Sequence, residues 1–109
     1  EAKGGYPVVF GRLPEADAGQ MRNAWDVLRA RLGKPGAAVL ATEKDGKPTL
    51  LAAGTPEAVE AGFDAGAVIK AISGNIKGGG GGKAAMAQAG GKDASGIDAA
   101  LEAAREMLL

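Results

Sequence analysis

The residues best suited to chemistry in this chain are five consecutive glycines at positions 78–82, with a lysine on each side. Between positions 65 and 92 there are four lysines and no Asp or Glu. The four lysines are Lys70, Lys77, Lys83 and Lys92. Because glycine loses more backbone freedom on ordering than any other residue, an ordered run implies a need for bare backbone. Exposed backbone N–H groups surrounded by lysines would attract an anion such as a phosphate.

Glycine runs are also typical of flexible linkers. This run contains no serine, and it lies between two apolar, patterned segments rather than between domains. From the residues alone, the linker and the binding loop therefore stand as equal alternatives.

Most catalytic groups are missing from the sequence. The chain has no cysteine and no histidine, which excludes disulfides, thiolate nucleophiles, zinc clusters and imidazole bases. A phosphate-binding P-loop needs Gly-x4-Gly-Lys-Ser/Thr, but Lys77 stands at the first glycine position and Ala84 follows Lys83. No pair of carboxylates stands out as a general acid and base. We therefore expect no catalytic centre, no metal and no cofactor.

The charge balance restricts the kind of partner. The 109 residues include 13 basic and 13 acidic side chains, so the net charge is zero. This excludes a globally basic nucleic-acid binder, and any phosphate recognition has to be local. No stretch approaches the ~20 apolar residues of a membrane span and no signal peptide is visible, so we expect a soluble, cytoplasmic protein. The chain begins at Glu1 without a methionine, which indicates a fragment or a processed form.

Several elements are predicted on the N-terminal side of the glycine run. Residues 6–10 predict a strand. Residues 14–32 predict a helix, with Asp17 and Gln20 as its capping box and Trp25 as a core anchor. Its buried stripe would be Met21, Ala24, Trp25, Leu28 and Leu32.

Two further strands and a second helix are predicted before the glycines. Residues 37–42 and 48–53 are continuous apolar runs joined by an Asp45-Gly46 hairpin turn, which indicates strands buried on both faces. Asp64 begins the second helix, on which Lys70 would be solvated. The buried face of this helix would be Ala65, Val68, Ile69, Ile72 and Ile76.

After the glycines, residues 84–89 predict a strand of small residues. A last helix opens at Ser95, with Asp98 in the capping-box position. Its buried stripe would be Ile97, Ala100, Leu101, Ala104 and Leu108. The order of elements predicts an α/β fold, a mixed sheet of about four strands packed with about three helices in one compact domain spanning residues 1–109.

The glycine run continues into Met86-Ala87-Gln88-Ala89-Gly90-Gly91. This segment resembles the glycine motif of the DHH-associated domain found at the C-terminus of bacterial alanyl-tRNA synthetases. Lys83 stands for the basic residue of that motif, whereas Ala84 and Ala85 replace its usual Pro-Asp. Any role of that turn therefore does not transfer, although the order of elements fits the family over most of the chain.

The resemblance implies a tRNA-binding domain that carries no aminoacylation or editing chemistry itself. It would contact the elbow of the alanine tRNA, support the aminoacylation and editing domains of the parent alanine–tRNA ligase, and form a homodimer in some members. The residues implied to bind nucleic acid are Lys77, Gly78, Gly79, Gly80, Gly81, Gly82, Lys83, Gln88, Gly90, Gly91 and Lys92. Lys44 and Lys47 are expected to pair with Glu43 and Asp45 and to matter much less.

Two alternatives remain beside this function. The chain could be the substrate-binding half of a DHH-family phosphodiesterase, whose Asp-His-His motif cannot occur here because the chain has no histidine. It could also be an oligomerisation or docking domain in which the glycines serve only close packing. The few aromatic residues favour recognition of a folded RNA corner over stacking of single-stranded bases.

Overall fold

Five strands and four α-helices make up the part of the chain that the computed structural model describes, residues 5–13, 15–32 and 35–109. The strands are β1 (Val8–Arg12), β2 (Ala37–Lys44), β3 (Lys47–Gly54), β4 (Gly79–Gly82) and β5 (Met86–Gly90). The helices are α1 (Ala18–Leu32), α2 (Pro56–Glu60), α3 (Ala65–Ile72) and α4 (Ile97–Leu108). Two short 3₁₀ turns cover Ser73–Ile76 and Ala94–Gly96. No helix in these ranges is long and apolar enough to cross a membrane.

The strands form one mixed sheet in the order β1-β2-β3-β5-β4, which confirms the predicted α/β class. β1 pairs with β2 in parallel, and the other three neighbouring pairs are antiparallel. Compared with the prediction, the sheet has one additional strand, β4, and the described chain one additional helix, the short α2. The additional strand is the glycine run itself.

The hairpin between β2 and β3 follows its sequence signal. Asp45 and Gly46 both have positive φ angles, 54° and 77°, as a two-residue turn of the primed type requires. Residues 37–42 are buried without alternation, so the prediction of strands covered on both faces is confirmed.

Helix α1 covers one face of the sheet. Met21 and Trp25 are buried there against Leu40 and Leu51. The predicted capping box is confirmed: the Gln20 N–H donates to Asp17 Oδ1 and the Asp17 N–H donates to Gln20 Oε1, each at 2.8 Å. The helix begins only at Ala18, since residues 15–17 precede it, while positions 14 and 33 of the predicted boundaries lie outside the described residues.

Helices α3 and α4 cover the opposite face. Asp64 caps α3 as predicted, because its Oδ1 accepts the Ala67 N–H at 3.2 Å, and Lys70 is exposed. The predicted buried stripes are confirmed for Val68, Ile69, Ile72 and Ile76, and for Ile97, Ala100, Ala104 and Leu108.

The predicted start of the last helix is wrong. Ser95 does not cap α4, whose N-cap residue is Gly96, without a side-chain hydrogen bond. Asp93 instead caps a 3₁₀ turn: its Oδ1 accepts the Ser95 N–H at 3.1 Å and also the Ser95 hydroxyl. The chain then makes the 3₁₀ turn Ala94–Gly96 before α4 begins at Ile97. The Ser95 hydroxyl is thus hydrogen-bonded to Asp93 and not to the first turn of α4.

The predicted glycine loop is in fact the edge strand β4, antiparallel to β5. Its glycines fall into two classes. At Gly78, just before the strand, and at Gly80 and Gly82 in it, an added Cβ would lie 2.0–2.5 Å from a backbone oxygen of the β5 segment. At Gly79 and Gly81 it would meet nothing within 4 Å. Close approach to β5 therefore requires glycine at alternate positions only.

This alternation predicts opposite outcomes for two neighbouring substitutions. Gly80→Ala should lower the free energy of unfolding by about 2 kcal/mol or more, because its Cβ would overlap Gln88 O at 2.1 Å. Gly81→Ala should change it by less than about 1 kcal/mol, since the site is open and alanine restricts the unfolded chain. Urea denaturation of both variants measures the difference. Equal losses would show that strand contact is not the constraint.

Candidate nucleic-acid interface

Three lysines surround a cavity of about 360 Å³ at one end of the glycine strands. They are Lys47, Lys77 and Lys92, and all three are exposed. The remaining wall consists of Pro48, Thr49, Gly78, Gly90 and Gly91. Of the residues predicted to bind nucleic acid, Lys77, Gly78, Gly90, Gly91 and Lys92 are therefore brought together.

Ile76 is the residue that joins two of these lysines. Its carbonyl accepts both the Lys92 N–H at 2.9 Å and the Asp93 N–H at 3.0 Å. Gly91 makes this possible, because a Cβ there would lie 2.2 Å from Ile76 O. Lys77 follows directly in the left-handed conformation, with φ 53°, and ends the 3₁₀ turn. The chain after β5 is thus fixed against the residue that precedes Lys77.

Lys47 reaches the same cavity through the sheet register. Thr49 pairs with Gly90, and Gly90 pairs with Gly79, so the start of β3, the end of β5 and the start of β4 lie side by side. The expectation that Lys47 pairs with Glu43 or Asp45 is wrong. Glu43 Oε1 is bound by Arg12 Nη2 at 3.2 Å, and in the described ranges Lys47 forms no ion pair. Only the register across three strands could have identified Lys47.

Lys83 lies at the other end of β4. It exchanges two backbone hydrogen bonds with Met86, at 2.9 and 3.3 Å. The four residues of β4 separate it from Gly78 in the lysine cavity, a distance of about 17 Å along the strand. Lys70 is also at that end, where it shares a second cavity with Asp64 and Gly82. The lysines predicted as one patch are therefore divided between two places.

Gln88 lies on the α1 face of the sheet. It pairs with Leu51, whose side chain is buried beside Met21 and Trp25 under α1. Gln88 Oε1 accepts a hydrogen bond from Arg22 Nη1 at 3.4 Å, whereas its Nε2 is buried and has no partner among the described residues. A buried amide donor without a partner is destabilising, so packing alone does not account for glutamine at this position.

Three glycines beside Gln88 have no packing reason to be glycine. Gly79 and Gly81 are open, and a Cβ on Gly90 would have only Pro48 O nearby, at 4.0 Å. By the two-residue period of strands and the register with β5, all three belong to the α1 face of the sheet. Their backbone is therefore accessible from that face, next to the three-lysine cavity.

Asp93 is an acidic residue whose charge interacts with Lys77 of this cavity. The hydrogen bond from the Ser95 hydroxyl is the largest cause that lowers the pKa of Asp93 below its ordinary value of 3.8. Desolvation opposes this shift, and the Ser95 N–H and the positive charge of Lys77 make smaller contributions that lower the pKa further. Asp93 is therefore ionised at neutral pH, and its negative charge lies near Lys77.

Removing the hydroxyl should raise this pKa. In Ser95→Ala the pKa of Asp93 should move up toward its ordinary value, and in Lys77→Ala it should rise by less. A lowered pKa stabilises the fold above the unfolded-state value, and this contribution is lost as the pH falls through the folded-state value. NMR titration of the carboxyl carbon measures it, and an unchanged pKa in Ser95→Ala would contradict the assignment.

Comparisons with known proteins show the family to which this sequence is similar. The DHHA1 domain family matches residues 5–109 of the chain. The alanine–tRNA ligase of Herpetosiphon aurantiacus is 45% identical over 104 residues, and that of Herminiimonas arsenicoxydans is 44% identical over 98 residues. These matches cover 95% and 90% of this chain but only 12% and 11% of the ligases. The chain thus spans only about 12% of the length of the Herpetosiphon ligase.

A solved structure shares the fold. The crystal structure of the C-Ala domain from Aquifex aeolicus alanyl-tRNA synthetase matches with a TM-score of 0.82 and 31% sequence identity. The match covers 93% of this chain and 89% of that one. The sheet, the glycine strand and the covering helices described above are therefore those of a fold already seen in a synthetase domain.

Proposed function

The chain belongs to the DHHA1 domain family, and from that membership we propose that it is the non-catalytic tRNA-binding domain of an alanine–tRNA ligase. It contacts the elbow of the alanine tRNA and supports aminoacylation and editing by the other domains of the same cytoplasmic enzyme. The observation that carries this proposal is the cavity between Lys47, Lys77 and Lys92, which opens beside backbone that packing does not require to be glycine.

The cavity has the properties that a phosphate contact needs. Three ammonium groups surround it, and none of them forms an ion pair with a carboxylate in the described part of the chain. Gly90 leaves the wall without a side chain, so a sugar–phosphate backbone can approach the strand closely. Phosphate contacts fix the position of a nucleic acid without reading its sequence.

The aromatic residues support a folded RNA over a single strand. Tyr6, Trp25 and Phe63 are 3%, 2% and 1% exposed, and the fourth aromatic, Phe10, lies under the guanidinium of Arg105 at 4.8 Å. None of them offers a free ring face on which a base could stack. Recognition through phosphates and shape is what remains, and a folded RNA corner such as the tRNA elbow presents both.

The lysine cavity can be tested by the salt dependence of binding. Lys77→Ala, Lys47→Ala and Lys92→Ala should each weaken tRNA binding and reduce the slope of log K against log salt by up to about one unit, since each removes one phosphate contact. Fluorescence anisotropy with labelled tRNA at several KCl concentrations measures both quantities.

Lys70→Ala is the matched control for these three variants. Lys70 is an exposed lysine on α3, beside Gly82 at the far end of β4. Its replacement should leave the slope unchanged. If all four lysine variants lose affinity equally, the location of the charge has no importance and the cavity is not the binding site.

The elbow assignment needs a separate experiment. Intact tRNA should displace labelled tRNA from the chain far better than an acceptor-stem minihelix does at the same salt concentration, because the minihelix lacks the folded corner. Different tRNA species should compete with similar strength, since backbone contacts carry little sequence information. A minihelix that competes as well as whole tRNA would place the contact on the acceptor stem.

A further inference from the structure

We infer that Arg22 on helix α1 is a second phosphate-binding residue of this interface, and that Gln88 holds it in position. This inference rests on the proposed tRNA-binding function and adds a residue to it. Arg22 is 66 positions away from Gln88 in the sequence, and only the fold joins them. The site thereby extends from the lysine cavity across the α1 face of the glycine strands.

Arg22 differs in its surroundings from three of the other four arginines. Arg12, Arg29 and Arg105 each lie 3.2–3.7 Å from a carboxylate. Arg22 has no such partner within the residues that the structure describes, and its contact is the neutral amide oxygen of Gln88 at 3.4 Å. A guanidinium has five N–H donors, so this one contact leaves most of them available.

The position of Arg22 relative to the lysine cavity follows from the sheet. Gln88 and Gly90 are two residues apart on β5, so they share a face and are separated by about 7 Å. Gly90 lines the lysine cavity, and Gln88 binds Arg22. Open backbone at Gly79 and Gly81 lies alongside on the same face. A ligand that enters the cavity and continues along β5 therefore reaches Arg22.

The chemistry of the two contacts defines the occupant. A guanidinium binds a phosphate through two parallel hydrogen bonds, whereas an ammonium acts as a point charge. A cavity of lysines followed by an arginine on one face suits successive phosphates of one RNA backbone. Gln88 is then a positioning residue. Its Nε2 lacks a partner, so its presence costs stability and is explained by what its Oε1 holds.

The test replaces Arg22 by a neutral residue of similar length. Arg22→Gln should weaken tRNA binding about five- to eightfold at 0.1 M salt and reduce the salt slope by about 0.7–0.9, the change for one lost phosphate contact. Arg31→Gln is the matched control. Arg31 is also exposed and unpaired in the described chain, but nine residues, or about two and a half turns, place it on the opposite flank of α1. It should bind tRNA as the unmodified chain does.

The role of Gln88 is tested by a double-mutant cycle. Gln88→Leu should weaken tRNA binding in the unmodified chain but have no further effect on binding in the Arg22→Gln variant. The free energy of unfolding of the Gln88→Leu variant should equal or exceed that of the unmodified chain, because the unpaired amide donor is removed. Arg22→Lys should keep the slope and lose affinity, which separates lost charge from any damage to folding. Independent, additive losses would overturn the positioning role.

The two proposals can fail separately. If Arg22→Gln binds like the unmodified chain while Lys77→Ala is weakened, the inference about Arg22 is wrong and the tRNA-binding function stands. If the unmodified chain binds no tRNA at any salt concentration, both are wrong.

Discussion

The close approach of β4 to β5 is the constraint on which the rest of the structure depends. The two strands lie so near each other that a methyl group at Gly80 would overlap the backbone of β5. The same bare strand allows α3 to pack on it, where a Cβ at Gly66 would already lie 3.2 Å from Gly82 O. The turn after β4 then caps α3, because Ala84 O accepts the Ala65 N–H at 2.9 Å. Side chains at Gly80 and Gly82 would separate β4 from β5, and Gly82 is also the residue that Gly66 of α3 approaches.

This constraint also explains how an ordered run of five glycines is stable. Each glycine costs more conformational entropy on folding than another residue would, and β4 buries no side chain of its own in return. Backbone hydrogen bonds to β5 and the packing of α3 on the strand supply the compensation. Gly79 and Gly81 carry the same entropic cost although packing does not require glycine there. In the proposed function this cost is offset by the close approach of the RNA backbone.

Elements formed by residues close together in the sequence could be predicted, whereas those formed by contacts between distant residues could not. The Asp17–Gln20 capping box, the Asp45-Gly46 turn and the Asp64 cap depend on residues within a few positions, and the sequence indicated all three. Strand β4 was missed because glycine has a low strand propensity. The strand forms only because its backbone pairs with β5, a contact that the local sequence does not indicate. The lysine cavity was half predicted: Lys77 and Lys92 flank the motif, whereas Lys47 joins them through a register that spans three strands. Arg22 carries no local signal at all.

The electrostatics of the chain show how a zero net charge is compatible with the proposed phosphate site. The ion pairs of the described residues involve none of the three cavity lysines: Arg12 pairs with Glu43 and Asp98, Arg29 with Asp26, and Arg105 with Glu102. Charges separated by more than about 8 Å are largely screened at physiological ionic strength. A ligand at the lysine cavity therefore responds mainly to the lysines there and to the nearby carboxylates. Of these, Asp93 interacts with Lys77, whereas Glu43, opposite Pro48 on the neighbouring strand, is already paired with Arg12. Asp93 stays ionised near Lys77, but the three lysines outnumber it, so the cavity remains positive in a chain whose charges cancel overall.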